Sequence, residues 1–222
     1  MSSKANHFTA NGYRARVERQ VPGLNDLHRI VGLLLAETMA ESGSVLALGA
    51  GGGMELQALR EHHPGWTFAA VDPSADMIAQ ATETLGGDLD RISFTHGYID
   101  DAPAGPFDGA TCLLVLHFLE REERLRTLRE LRRRLRTGAP LVVVHHSFPT
   151  GDEDRWLDRY ADFQIARGAD AARTRAGIAS MKDKLPALSP SEDEALLQRA
   201  GFERVALFYA ALTFKGWISF AA

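Results

Sequence analysis

Residues 45–55 read Val-Leu-Ala-Leu-Gly-Ala-Gly-Gly-Gly-Met-Glu, a short apolar run broken by glycines and followed by a helical pattern. Glycine is needed where a strand turns sharply into a helix and where backbone must approach a ligand with no Cβ in the way. A dinucleotide fingerprint, G-x-G-x-x-G, requires glycine at position 54, where this chain has Met54. The spacing is G-x-G-x-G, which argues against a nicotinamide dehydrogenase. Asp72 stands about twenty residues beyond the last of these glycines, at the tip of the next strand, where a carboxylate can accept both hydroxyls of an adenosine ribose. The architectural alternative is a plain strand-to-helix turn, with Asp72 capping the helix that starts near Ser74.

The rest of the chain repeats the same alternation. Apolar positions at helical spacing over 24–41 give one helix, 45–48 a strand and 54–61 a helix closed by Pro64-Gly65. Residues 66–71 form a second strand, and Met77, Ile78, Ala81 and Leu85 give the inner stripe of a helix closed by Gly86-Gly87. Strands follow at 91–96, at 107–116 and at 141–145, with a leucine-striped helix over 120–136 between the last two. Ser189-Pro190-Ser191-Glu192 is a capping box with proline at the first helical position, opening a helix to Ala200. Runs at 202–209 and 214–220, joined by a short turn, make an antiparallel hairpin. Together these predict an α/β fold with a doubly wound, mostly parallel seven-stranded sheet and an antiparallel end. The stretch 149–188 breaks the alternation with two helical patterns, at 152–167 and 170–185, and is read as a helical lid over the strand ends.

Composition narrows the class. The 222 residues are 45% apolar and 24% charged, with 20 Gly and 9 Pro, which fits one globular domain over 1–222 and excludes disorder and collagen. A formal charge of −4 gives no global attraction for nucleic acid or anionic membrane. The single cysteine, Cys112, allows no intramolecular disulfide, and no apolar run approaches the ~18 residues of a membrane span, so the expectation is a cytoplasmic protein. The helix over 121–136 holds eight arginines, but Glu122, Glu123 and Glu130 interrupt them and leucines account for its inner side. A solvated face is expected there rather than a nucleic-acid patch.

These motifs resemble the class I S-adenosylmethionine (SAM) dependent methyltransferases. Leu48-Gly49-Ala50-Gly51-Gly52-Gly53 looks like their first motif, Phe68 to Asp72 like the second, Gly97-Tyr98-Ile99-Asp100-Asp101 like the adenine loop, and Phe107-Asp108 to Leu116-His117 like the fourth. The likeness covers about 40–148 and the terminal hairpin. It implies SAM as cofactor, S-adenosylhomocysteine as product and a small-molecule methyl acceptor, with residues 1–43 as a helical cover. Whether a homodimer forms is left open.

The resemblance carries over residue by residue. Gly49, Ala50, Gly51 and Gly53 would form the cradle, Asp72 and Pro73 the ribose side, and Met77, Gly97, Tyr98, Ile99 and Leu116 the adenine side, with Tyr13 folded over the cofactor. Where the first motif usually has an acid two residues before its first glycine, this chain has Ala47, and Glu55 is the candidate replacement. Tyr98 replaces the usual Asp of the adenine loop, so adenine would rest on Tyr98 and on backbone N–H groups near Ile99.

Within the superfamily, residues 17–23, Met77-Ile78 and Arg199-Ala200-Gly201-Phe202-Glu203 are similar to the carboxy-SAM synthases of tRNA wobble-uridine modification. By that analogy Arg173 or Arg175 of the lid would read a cofactor carboxylate. A non-catalytic SAM-binding module is a further alternative.

Methyl transfer needs a base only for a protonated nucleophile. His117 follows the fourth strand and His145-His146 end the fifth, at the lip of the expected cleft. Adjacent strand residues point to opposite faces, so at most one of the pair can serve, and His117 and His146 are the candidates. A metal held by His117 and a neighbour lacks a third spaced ligand. His62-His63 read as a helix-end cap.

Overall fold

Seven strands form one sheet in the order β3-β2-β1-β4-β5-β7-β6. They are β1 (Ser44–Leu48), β2 (Thr67–Asp72), β3 (Ile92–His96), β4 (Gly109–Leu113), β5 (Pro140–His146), β6 (Phe202–Ala211) and β7 (Phe214–Ala221). The first five pair in parallel, and β7 runs antiparallel to both β5 and β6. The computed structural model describes residues 10–86 and 89–222. Gly87, half of the expected closing glycine pair, lies outside them.

The strands are short and apolar because both faces are covered. On β1, Val45 and Ala47 face one layer with Leu35, Leu56 and Leu59, whereas Leu46 and Leu48 face the other with Leu128, Leu131 and Trp217. The first layer holds α1 (Ala10–Gln20), α2 (Leu24–Ala36) and α3 (Met54–His62); the second holds α5 (Arg121–Arg134) and α8 (Pro190–Arg199). Helix α4 (Ala75–Thr84) is capped by Ser74, whose hydroxyl accepts from Met77 N–H at 3.3 Å. β1 pairs with β2 on one side and β4 on the other, so the sheet reverses its winding there and opens a crevice at the strands' carboxyl ends.

Several elements differ from expectation. Residues 10–20 form a helix, α1, whose Tyr13 and Val17, with Val21 just beyond its end, repeat every fourth residue and pack on the core. Helix α2 stops at Ala36 rather than 41, and Met39 folds inward against Gly43 and Gly109, where an added Cβ would lie 2.7 and 2.6 Å from its side chain. β4 ends at Leu113 rather than 116, since Leu114 turns the chain with φ 61° and residues 116–118 wind into a 3-10 turn.

Helices α6 (Glu153–Ala166) and α7 (Ala171–Lys184) form the inserted pair. They lie beside the closing hairpin, with Tyr160 edge-on to Phe214 (5.6 Å between centroids) and Lys215 over Trp156 (5.2 Å). No described helix is long and apolar enough to cross a membrane.

Candidate cofactor cleft

A cleft of about 360 Å³ opens at the carboxyl ends of β1, β2 and β4. The glycine turn forms its floor, and Gly49, Gly51 and Gly53 take φ of 82°, 49° and 79°, a backbone that a side chain would strain. A Cβ on Gly49 would stand 2.1 Å from Val115 Cγ2, and one on Gly53 2.9 Å from the Ala81 backbone. Gly49, Ala50, Gly51 and Gly52 line the cleft; Gly53 lies behind it, packed on α4.

The turn's N–H groups are taken up within the protein. Gly49 and Ala50 donate to Val71 O (2.8 and 3.2 Å), Gly53 to Ala50 O (3.0 Å) and Gly51 to Asp72 Oδ2 (2.9 Å). Gly52 hydrogen-bonds Tyr13, whose ring lies over it. The glycines therefore act by removing bulk rather than by offering free amides. Asp72 Oδ1 accepts from Ser74 N–H at 2.9 Å. Each Asp72 oxygen thus holds one backbone donor and keeps a lone pair for a ligand hydroxyl. The cap expected of Asp72 belongs to Ser74.

Glu55 enters the wall from the first turn of α3 and is buried. Its Oε1 has no hydrogen-bond partner. Burial pushes its carboxyl up to about 7, and the adjacent Thr111 hydroxyl works the other way. Thr111 is the β4 register partner of Ala47, so the carboxylate sits beside the strand position that lacks an acid.

Pro73, Met77, Gly97, Tyr98 and Ile99 close the adenine side. Tyr98 is 65% exposed, and its N–H is engaged by Asp101 Oδ2 at 2.9 Å. Leu116 is buried beneath the 3-10 turn and does not line the cleft; Leu113, Leu114, Val115 and Phe118 do.

The two candidate base histidines lie outside the cleft wall. His146 N–H donates to His117 Nδ1 (3.3 Å), and His146 Nδ1 meets Thr213 Oγ1 (2.9 Å) under Tyr160 and Phe214. Burial, then the neighbouring histidines, hold His117 well below the usual imidazole range, and burial holds His146 at about 3. They form a neutral packed pair. Among the described residues no group of three His, Cys, Asp or Glu is placed to hold a metal. His63 stacks on Trp66 (3.8 Å) at the far end of the sheet, and His62 Nδ1 meets Ala58 O at 2.9 Å.

The roof also differs from expectation. Among the described residues none of 149–188 lines the cleft; the N-terminal segment covers it alone, through Tyr13, as expected, and through Val17 of α1 and Leu24 and His28 of α2. Arg173 and Arg175 are exposed on α7, and Arg175 pairs with Asp162 of α6 at 2.8 Å. On α5, Arg124 and Arg134 depart from the expected solvated face and are buried. His28 is among the cleft residues that the sequence reading missed. It follows Leu24 by one helical turn, but nothing in a single chain says which face of α2 meets the glycine turn.

A sheet in this order, closed by an antiparallel hairpin, is the Rossmann-like fold of the solved methyltransferases that superpose on it, and the glycine cradle and the acid at the next strand tip fall within the stretch that is similar to a methyltransferase domain. Residues 46–141 match the sequence family described as a methyltransferase domain. A carboxy-S-adenosyl-L-methionine synthase of Chromohalobacter salexigens is 29% identical over 213 residues, 92% of this chain and 78% of that protein.

Among solved structures, a Nostoc punctiforme protein provisionally named an O-methyltransferase superposes with a TM-score of 0.66 at 17% identity, covering 89% of this chain. The chain spans 56% of that protein's length. Human N-acetylserotonin methyltransferase, solved with SAM, superposes with a TM-score of 0.61 at 16% identity, covering 99% of this chain and 60% of its own.

Proposed function

We propose that this SAM-dependent enzyme methylates a small-molecule acceptor held between the glycine turn and the α1–α2 roof. The observation that carries this reading is the Glu55 carboxylate, buried in the wall with one oxygen unpartnered. Such an oxygen calls for a proton or a cation, and the α-ammonium of SAM is a cation suited to it. The cradle at Gly49, Gly51 and Gly52 and the spare lone pairs of Asp72 fit the rest of an adenosyl ligand.

When bound, SAM supplies a methyl group already activated on a sulfonium. What remains for the chain is alignment and exclusion of water. Tyr13 shields the turn from above, Asp72 fixes a ribose, Glu55 balances positive charge, and Leu113, Leu114 and Val115 keep the floor apolar.

A second reading, formation or binding of carboxy-SAM, is favoured by the similarity to the carboxy-SAM synthase along 92% of the chain. A carboxylated sulfonium needs a cation to receive it. No Lys or Arg is among the described residues lining the cleft, whereas Glu55, Asp72 and Glu123 are. This favours plain SAM.

Mass spectrometry of ligand released from purified protein, with calorimetry of S-adenosylhomocysteine, tests both. SAM or its demethylated product is expected. A carboxylated sulfonium in the released ligand would establish the second reading, and failure of both thioether and sulfonium to bind would end the first.

A further inference from the structure

Resting on the methyltransferase reading, we propose that the cleft takes, beside His28, a neutral acceptor, a phenol or alicyclic alcohol, whose hydroxyl donates to the His28 imidazole. His28 projects from α2 into the cleft wall, one turn beyond Leu24. It is 7% exposed, and among the described residues nothing hydrogen-bonds its ring. The same cleft is lined by the apolar side chains of Val17, Leu24, Leu113, Leu114, Val115 and Phe118. A polar group confined among apolar side chains without a partner costs free energy unless a ligand supplies one.

The charge state of the ring selects the partner. Burial first, and the charge of Arg14 second, hold His28 at about 4, so the imidazole is neutral at physiological pH and offers one acceptor nitrogen. The complement is an O–H or N–H donor. An anionic acceptor would meet Asp72, Glu55 and Glu123 with no basic residue in the described wall. Arg14, the cation named beside His28, is held by Glu18 at 3.2 Å and Gln57 at 3.4 Å. An ammonium would be drawn to Glu55. A neutral hydroxyl on an apolar frame satisfies every group in the wall.

The same contact disposes of the proton. As the hydroxyl oxygen uses a lone pair to bond the methyl carbon, the electron pair of the carbon–sulfur bond stays on sulfur, leaving a thioether. The hydroxyl proton passes to the His28 ring nitrogen, and the imidazolium releases it to water. A methylated oxonium is a far stronger acid than an imidazolium near 4, so this transfer runs downhill.

Protein saturated with S-adenosylhomocysteine is titrated by fluorescence with 2-naphthol, 2-methoxynaphthalene and 2-naphthoate. These probes carry a donor, no donor and an anion on one frame. The naphthol is expected to bind about tenfold more tightly than the ether, as one hydrogen bond to a buried acceptor provides, with the naphthoate weakest. In His28→Leu that advantage should fall to about twofold, while S-adenosylhomocysteine binds as before; His28→Asn, which keeps an acceptor, should retain part of it. The proposal is overturned if naphthoate binds best, if naphthol does not bind, or if His28→Leu keeps the full advantage. Loss of S-adenosylhomocysteine binding by the unaltered protein would instead defeat the methyltransferase reading itself.

Discussion

Glu55 acts in opposite directions on the free and ligand-bound protein. Its carboxyl lies near 7 in the fold against an ordinary 4.5, so the folded chain binds the extra proton and the raised pKa favours folding at low pH. That contribution is present below 4.5 and is lost as pH rises through 7, a change on the order of 3 kcal/mol. His28 and His146, lowered to about 4 and 3, work oppositely: their share is present above 6.5 and is lost as pH falls toward those values. The Glu55 effect is therefore read as a difference. Between pH 5 and 8, Glu55→Gln should gain stability relative to wild type as pH rises, measured by urea unfolding; parallel curves would contradict the buried, orphaned carboxyl. Binding of a cation-bearing sulfonium should tighten across the same range in wild type alone. Asp72→Ala removes charge-assisted hydrogen bonds worth about 1.5–3 kcal/mol and should weaken SAM roughly ten- to a hundredfold by calorimetry. Asp72 was legible because strand tip and glycine turn come in fixed sequence order. Its ties to Gly51 and Ser74 were not, since they depend on how two turns meet.

At the scale of elements, a buried ionic cluster joins α5, α8 and β5. Arg124 Nη1 donates to Asp193 Oδ1 at 2.5 Å, and its Nη2 donates to Pro186 O (2.9 Å) and Leu119 O (3.4 Å). Asp193 Oδ2 lies 3.1 Å from His145 Nε2, within ion-pair range but off the hydrogen-bond direction. Burial acts to raise the Asp193 carboxyl, but His145, Arg124 and Ser147 together outweigh it and bring it down. Asp193→Ala strands the guanidinium and should cost about 3–5 kcal/mol by urea unfolding, whereas Arg124→Met with Asp193→Leu should restore most of that loss. Equal losses in the single and paired variants would show that the cluster is not a unit. The capping box that starts α8 was readable residue by residue, and Ser189 N–H does reach Glu192 Oε2 at 2.9 Å. Arg124 was not, because an arginine among eight on one helix gives no sign of which ones face inward. Helix α1 carried only Tyr13 and Val17, with Val21 just past its end, too thin a stripe to distinguish from a loop.

For the whole molecule, ligand binding and folding are linked. S-adenosylhomocysteine at a hundred times its Kd should add about 2.7 kcal/mol and, at roughly 2–4 °C per kcal/mol for a domain of this size, raise Tm by about 5–10 °C. An unchanged Tm would deny that the folded cleft is the binding form. Strand order could be anticipated because alternating strands and helices admit few windings, and the closing hairpin marks the edge. That the N-terminal segment covers the crevice came with the resemblance, through Tyr13; that 149–188 stays off the cleft could not be anticipated, since a helical pattern gives no packing direction. One tie of the roof comes from the far end of the chain: Tyr209 Oη donates to Pro22 O at 2.6 Å, next to Gly23 with φ 65° between α1 and α2. The doorway is thus fastened in part by a strand made 187 positions later, so during synthesis that tie forms only once the closing hairpin has been laid down.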